Sequence, residues 1–176
     1  MIITLSKADW AKRLITHWGF AWRAASRFVA GETSADALNV VQQLNQRGIQ
    51  ATLDHLGEST TSAAEARSAA QEITTLFEQI HQRGLRSNVS LKLSQLGLVV
   101  DPALCRELLF GILEQACRTD NFVRIDMEDA SLTSQTIGLY QAAREQGYDN
   151  VGIVLQAYLY RTGADLDRVL ANGGRV

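Results

Sequence analysis

The sequence holds a single proline and two cysteines in 176 residues. One proline suits a helix-rich chain with few irregular loops. Cys105 and Cys117 fall twelve residues apart on one expected helix, too far to bridge. Neither stands in a CxxC or mixed Cys/His cluster, so both read as reduced packing residues of a cytoplasmic protein. Histidine is scarce, with three residues, and no metal site is expected because the acids lack a histidine partner at ligand spacing. No apolar stretch approaches the ~20 residues of a membrane span. Early charges at Lys7, Asp9, Lys12 and Arg13 deny the N-terminus a clean signal-peptide core. No G-x-G-x-x-G follows the first expected strand and no G-x-x-x-x-G-K-[ST] occurs, which removes the main support for Rossmann and P-loop readings. The net charge of −2 gives no reason to expect nucleic acid as a partner.

What is present is a repeat of helix-like segments and short apolar runs. The runs span Ile49 to Glu58, Asn88 to Gly97, Phe122 to Asp129 and Val151 to Tyr160, with a fifth beginning at 174–176. Nearly continuous apolar runs read as strands buried on both faces, and strand–helix alternation implies a parallel sheet. Strand starts near 50, 88, 122, 151 and 175 fit successive βα units. A helix capped by Ser34 stops at Gly48, and others run from about Ser62 to Arg83, from Asp101-Pro102, from about Ser134 to Gln146 and from about Ala164 to Ala171. The fold class is α/β, a (β/α)₈ TIM-type barrel of which the chain holds the first four to five units; a whole barrel takes about 250 residues. Residues 1–31 are expected as a separate helical segment and 32–176 as the partial barrel, truncated at the start of strand five. In the first segment Trp10, Leu14, Trp18, Ala21, Ala25 and Phe28 follow helical spacing, opposite Lys12, Arg13, Arg23 and Arg27. Two main readings stay open there: an aromatic stripe packed on the domain, or a basic helix lying on an anionic membrane surface.

In parallel barrels ligands collect at the carboxyl ends of the strands. The chain places Asp54, Glu58, Lys92, Asp126 and Gln156 there. Lys92 interrupts the apolar run NVSLKLSQL, and burying an ammonium costs several kcal/mol unless it is paired. It is expected to serve as an anion-binding charge or a Schiff-base nucleophile, or else to salt-bridge to Asp126 on the next strand. Within VRIDMED, alternation puts Asp126 and Glu128 on one side and Met127 and Asp129 on the other; the two later acids read equally as turn residues or helix caps. His55 is placed where a general base would sit, although a lone histidine is more often structural. Gln156 carries an amide that needs partners if buried.

RFVAGET (Arg27 to Thr33), ATLDHLGE (Ala51 to Glu58), VSLKLSQLG (Val89 to Gly97), VRIDMED (Val123 to Asp129) and VGIVLQAYLYRT (Val151 to Thr162), in this order and spacing, resemble the first half of the proline dehydrogenase family. The resemblance implies a barrel holding FAD, hydride transfer from the ring carbon of L-proline beside nitrogen to flavin N5, formation of Δ1-pyrroline-5-carboxylate, and reoxidation by a quinone, hence a cytoplasmic enzyme peripheral at the inner membrane face. Lys92 then matches the lysine that pairs with the substrate carboxylate, and Asp126 the acid beside flavin and substrate. Gln156 matches a residue bonding the isoalloxazine, Arg175 an arginine near N5, and Glu58 an acid that pairs with a substrate-binding arginine from the second half. The family pattern continues past Arg175, so the 176 residues alone are expected to bind FAD poorly and to turn over no proline. Two alternatives remain beside this reading: a Schiff-base lyase using Lys92, and a non-catalytic half-barrel that self-associates through its open sheet edges.

Overall fold

A computed structural model of the chain describes residues 30, 33–55, 60–171 and 173–176. The expected N-terminal helix and Glu58 lie outside them. Helices and strands alternate throughout: α1 (Ser34–Gln46), β1 (Ala51–Asp54), α2 (Ala63–Gln82), β2 (Ser87–Leu91), α3 (Pro102–Arg118), β3 (Val123–Ile125), α4 (Thr133–Glu145), β4 (Val151–Ile153) and α5 (Thr162–Ala171). The four strands form one parallel sheet in the order β1-β2-β3-β4. Every strand lies beside its neighbour in sequence. That is the order of a barrel wound in one direction; a doubly wound open sheet reverses order at its switch point. The last strand is represented by a single parallel bridge between Gly152 and Arg175.

Local chemistry sets the helix ends. Thr33, one residue ahead of the expected Ser34, caps α1 in a reciprocal box with Asp36. Ser62 caps α2, and Asp101 caps α3 with Pro102 in its first turn. Left-handed backbone at Gly48, Gly84 and Gly147 follows α1, α2 and α4, a conformation that costs other residues about 1 kcal/mol or more.

The strands are shorter than the apolar runs, and only one face of the sheet is apolar. Leu53, Val89, Leu91, Val123, Ile125, Val151 and Ile153 pack against Ile73, Phe77, Ile80, Leu109, Ile112, Leu113, Ile137 and Tyr140 of the helices. Burial of each such side chain contributes roughly 1.5–3 kcal/mol, and truncating fully buried Phe77 to alanine would cost about 3–5 kcal/mol. Alternation turns Thr52, Asp54, Ser90, Arg124 and Gly152 to the other face, which is polar. The expectation of strands buried on both faces holds for β4 and the end of β2 and not for β1 or for Arg124 of β3; the runs look longer than the strands because their second halves, LSQL and LQAYLY, leave the sheet. Leu93–Leu96 forms a 3-10 turn directly after β2, and residues 157–161 form turns before α5.

Candidate active site

Three charged side chains meet where the first three strands end. Lys92 is the first residue after β2, not a strand residue as its run suggested. Its Nζ stands 3.0 Å from Asp126 Oδ2 and 3.5 Å from Asp54 Oδ2. Asp54 closes β1 and Asp126 follows β3, so the two strands flanking β2 supply the two carboxylates. Asp126 is held on its other oxygen, which accepts the Met127 N–H at 3.0 Å. Burial works to lower the Lys92 pKa, but the hydrogen bond to Asp126 and the charges of Asp54 and Asp126 together raise it above the ordinary lysine value. Lys92 is thus a locked ammonium. A Schiff-base nucleophile needs a free amine, reached by lowering the lysine pKa, so the lyase reading loses its chemistry here. An ammonium has three N–H donors, and two of them face these carboxylates.

The loops around this trio are stitched together by side chains. Gln95 Oε1 accepts the Lys92 N–H at 3.3 Å, while Gln95 Nε2 donates to the His55 carbonyl at 2.7 Å. Glu128 Oε2 accepts the Ser94 N–H at 2.9 Å and Oε1 accepts the Ser94 hydroxyl. The Glu128 carbonyl accepts from Gln156 Nε2 at 3.1 Å. Gln156 is itself held by its own carbonyl, which accepts from Thr162 Oγ1 at 2.5 Å and from the Leu159 N–H at 3.2 Å. Gln156 Oε1 is buried with no partner. An orphaned acceptor of this kind carries a desolvation cost of about 1–3 kcal/mol that a ligand N–H would remove.

Lys92 and Asp126 touch, and Gln156 joins them through Glu128. His55 does not join: its ring turns to the helix side, with Nε2 3.1 Å from Glu72 Oε2 on α2, which is the structural role. Arg175 stays apart as well. It lies in the row of Gly152 and Arg124, and its guanidinium stands 5.4 Å from the Phe122 ring centre, against the amino ends of the strands. From the sequence, Asp54 is expected at the ligand end of its strand without a specific role, Glu128 reads as a turn residue or cap beside Asp126, and Ser94 and Gln95 carry no expected site role. Asp54 was legible as a strand-end acid; the other three depend on contacts across 34 to 40 residues that no local pattern reveals. Both cysteines are free, but only Cys105 is the packing residue expected, since Cys117 is exposed; burial followed by the nearby Glu128 charge pushes the Cys105 thiol up to about 12. Among the described residues no helix is long and apolar enough to cross a membrane.

The sequence model of the family described as Proline dehydrogenase matches residues 37–175. Proline dehydrogenase 2 of Bacillus subtilis is 37% identical over 163 residues, covering 93% of this chain and 53% of the relative. Proline dehydrogenase of Deinococcus radiodurans is 36% identical over 148 residues, covering 82% of this chain and 48% of that protein. The chain therefore spans about half the length of the curated relatives it matches. Among solved structures, proline utilization A (PutA) from Bdellovibrio bacteriovorus, inactivated by N-propargylglycine, superposes with a TM-score of 0.79 at 21% identity, over 93% of this chain and 20% of that one. This likeness bears out the partial (β/α)₈ barrel.

Proposed function

The chain belongs to the proline dehydrogenase family, and from that premise we propose that it carries the strand-end half of a site that oxidises L-proline to Δ1-pyrroline-5-carboxylate with FAD as cofactor and a membrane quinone as final acceptor. The observation that carries the reading is the Lys92 ammonium fixed between Asp54 and Asp126 with one N–H to spare. A substrate carboxylate is the partner that completes such a donor set, and a charge-assisted bond of this type contributes about 1.5–3 kcal/mol. The trio carries one net negative charge, which favours the cationic ring nitrogen that proline brings and the iminium that its oxidation leaves. Asp126 holds Lys92 in place, and its anchored oxygen keeps the carboxylate from swinging away.

The flavin, when bound, supplies the two-electron acceptor that the reaction requires. The residues fit such a group. Gln156, just past β4 and bonded through Nε2 to the Glu128 carbonyl, offers in its Oε1 a buried, unpartnered acceptor for a ring N–H. Arg175 is a weaker candidate for flavin contact, because its side chain lies against Phe122. The non-catalytic half-barrel reading accounts for an outer edge of β1 that is unpaired among the described residues but not for three charged side chains converging at the strand ends.

The test is a chimera in which residues 37–175 replace the matching stretch of the Bacillus subtilis relative. Proline-dependent dye reduction is expected to survive, and Lys92→Met in the chimera to lower its kcat/KM roughly 100-fold. A folded chimera without that activity refutes the reading.

A further inference from the structure

Glu128 contacts both of the loops that present Lys92 and Gln156, one with its side chain and the other with its backbone. Its carboxylate takes both protons of Ser94, one from the backbone N–H at 2.9 Å and one from the hydroxyl. Ser94 is the second residue of the 3-10 turn whose entry residue is Lys92. A negative charge at the start of a helical turn satisfies N–H groups that have no partner within the turn. Its carbonyl, on the same residue, holds the Gln156 amide at 3.1 Å. Lys92 cannot shift without moving the turn, and Gln156 cannot shift without moving the Glu128 backbone.

We infer that Glu128 is a positioning residue that sets the distance between the Lys92 ammonium and the Gln156 amide, coupling the substrate side of the site to its cofactor side. This rests on the reading that Lys92 and Gln156 face those two groups. The alternatives left open for Glu128, a solvated turn residue or a cap of its own helix, do not describe it: it caps the turn after the neighbouring strand. A carboxylate suits the task better than an amide. Ser94 offers two donors to two oxygens, and a glutamine in either flip loses one of them.

The 176-residue chain itself provides the first test, with a reporter already in place. Cys105 lies buried beneath the turn with Sγ 3.6 Å from the Leu93 carbonyl, and Cys117 on the same helix is exposed. In Glu128→Ala, alkylation of Cys105 is expected to speed up roughly tenfold while Cys117 keeps its rate. Amide exchange should rise together in residues 93–97 and 155–162, with α3 unchanged. Glu128→Gln should give intermediate rates, and Gln156→Ala should loosen 155–162 alone. Unchanged exchange in either segment of Glu128→Ala overturns the inference. So does faster exchange everywhere, α3 included, since Glu128 would then hold the whole domain and not two loops.

The chimera supplies the second readout. Glu128→Ala should raise the KM for proline and weaken flavin retention together, with both partly restored in Glu128→Gln. Lys92→Met should move only the first and Gln156→Ala only the second. If the unmodified chimera oxidises no proline, the proposed activity fails, while the exchange and alkylation results still decide whether the clasp exists.

Discussion

The two ends of the sheet are both polar, yet they are built on different principles. At the amino ends a concavity of about 810 Å³ is lined by Thr52, Arg86, Asn88, Phe122, Asn150 and Arg175, among others. Of its arginines, Arg175 stands 5.4 Å from the Phe122 centre, with Arg124 nearby at 5.9 Å, while Arg86 donates to the Asn45 carbonyl at 2.8 Å. Contacts of a cation with a ring contribute about 0.5–1 kcal/mol at exposed positions and demand little directional order. Phe122 itself fills the space left by Gly152, where an added Cβ would meet its Cζ at 2.7 Å. At the carboxyl ends an ammonium is fixed by two carboxylates, and each loop is tied to the next by directed hydrogen bonds. The candidate site is found by following which side chains are held in one geometry, not by following volume.

The sharpest way to break this contrast is to remove the cation at each end. Lys92→Met should lower kcat/KM for proline roughly 100-fold in the chimera, about 2.7 kcal/mol, the scale of one charge-assisted bond to a carboxylate. Arg175→Ala should change the same quantity less than about threefold, since a stacked cation on a ring contributes under 1 kcal/mol. Equal losses from the two substitutions would mean that the amino end belongs to the site. Steady-state kinetics on both variants decides.

Packing at the amino end is tested by Gly174→Ala. A Cβ there would stand 2.1 Å from the Tyr140 hydroxyl and 2.7 Å from the Val169 carbonyl, and the second atom is backbone that cannot swing aside. A cost of about 2 kcal/mol is expected, seen as a fall in Tm of roughly 4–8 °C with no change in proline KM. A drop in affinity without a drop in Tm would contradict the assignment of this end to packing.

Flavin contact separates Gln156 from Arg175 more finely. Gln156→Ala should weaken flavin binding about tenfold, the value of one hydrogen bond to an acceptor that is otherwise orphaned. Arg175→Ala should weaken it less. Flavin fluorescence titration reads both, and the reverse ranking would restore Arg175 to the role that resemblance implied.

Much of this architecture could be read from the chain. Proline at 102 after Asp101, glycines at 48, 84 and 147, and apolar runs between them located the described helix ends to within about two residues, except the end of α3 at Arg118, for which no stop was read. The polar residues at the run ends singled out Lys92, Asp126 and Gln156 as candidates, and the structure brings the first two into contact. Strand lengths were misread because LSQL and LQAYLY are apolar enough to pass for strand, and what ends each strand is a contact from elsewhere: Gln95 and Glu128 at β2, Thr162 after β4. Arg175 illustrates the same limit. Alternation places it on the polar face, but the direction of a long flexible side chain along the strand is decided by what it meets, here the Phe122 ring.

The smallest effect expected is also the most direct check that the ionic trio is a fixed structure. Lys92 is raised above its ordinary pKa of ~10.4 by its two carboxylate neighbours. A raised value in the folded state means that the ion pair adds stability in full below the unfolded pKa. That stability is lost as pH climbs through the folded value, so the loss falls in the alkaline range above ~10.4 and not near neutrality. The difference in urea midpoint between the natural chain and Lys92→Met should therefore stay level from pH 6 to about 9.5 and then shrink. Arg175→Ala should show no such alkaline step, because a guanidinium stays charged throughout this range. A Lys92 difference that instead fell away near pH 7 would mean a lysine with a lowered pKa, a free amine at neutral pH, and a site built for nucleophilic attack in place of carboxylate binding.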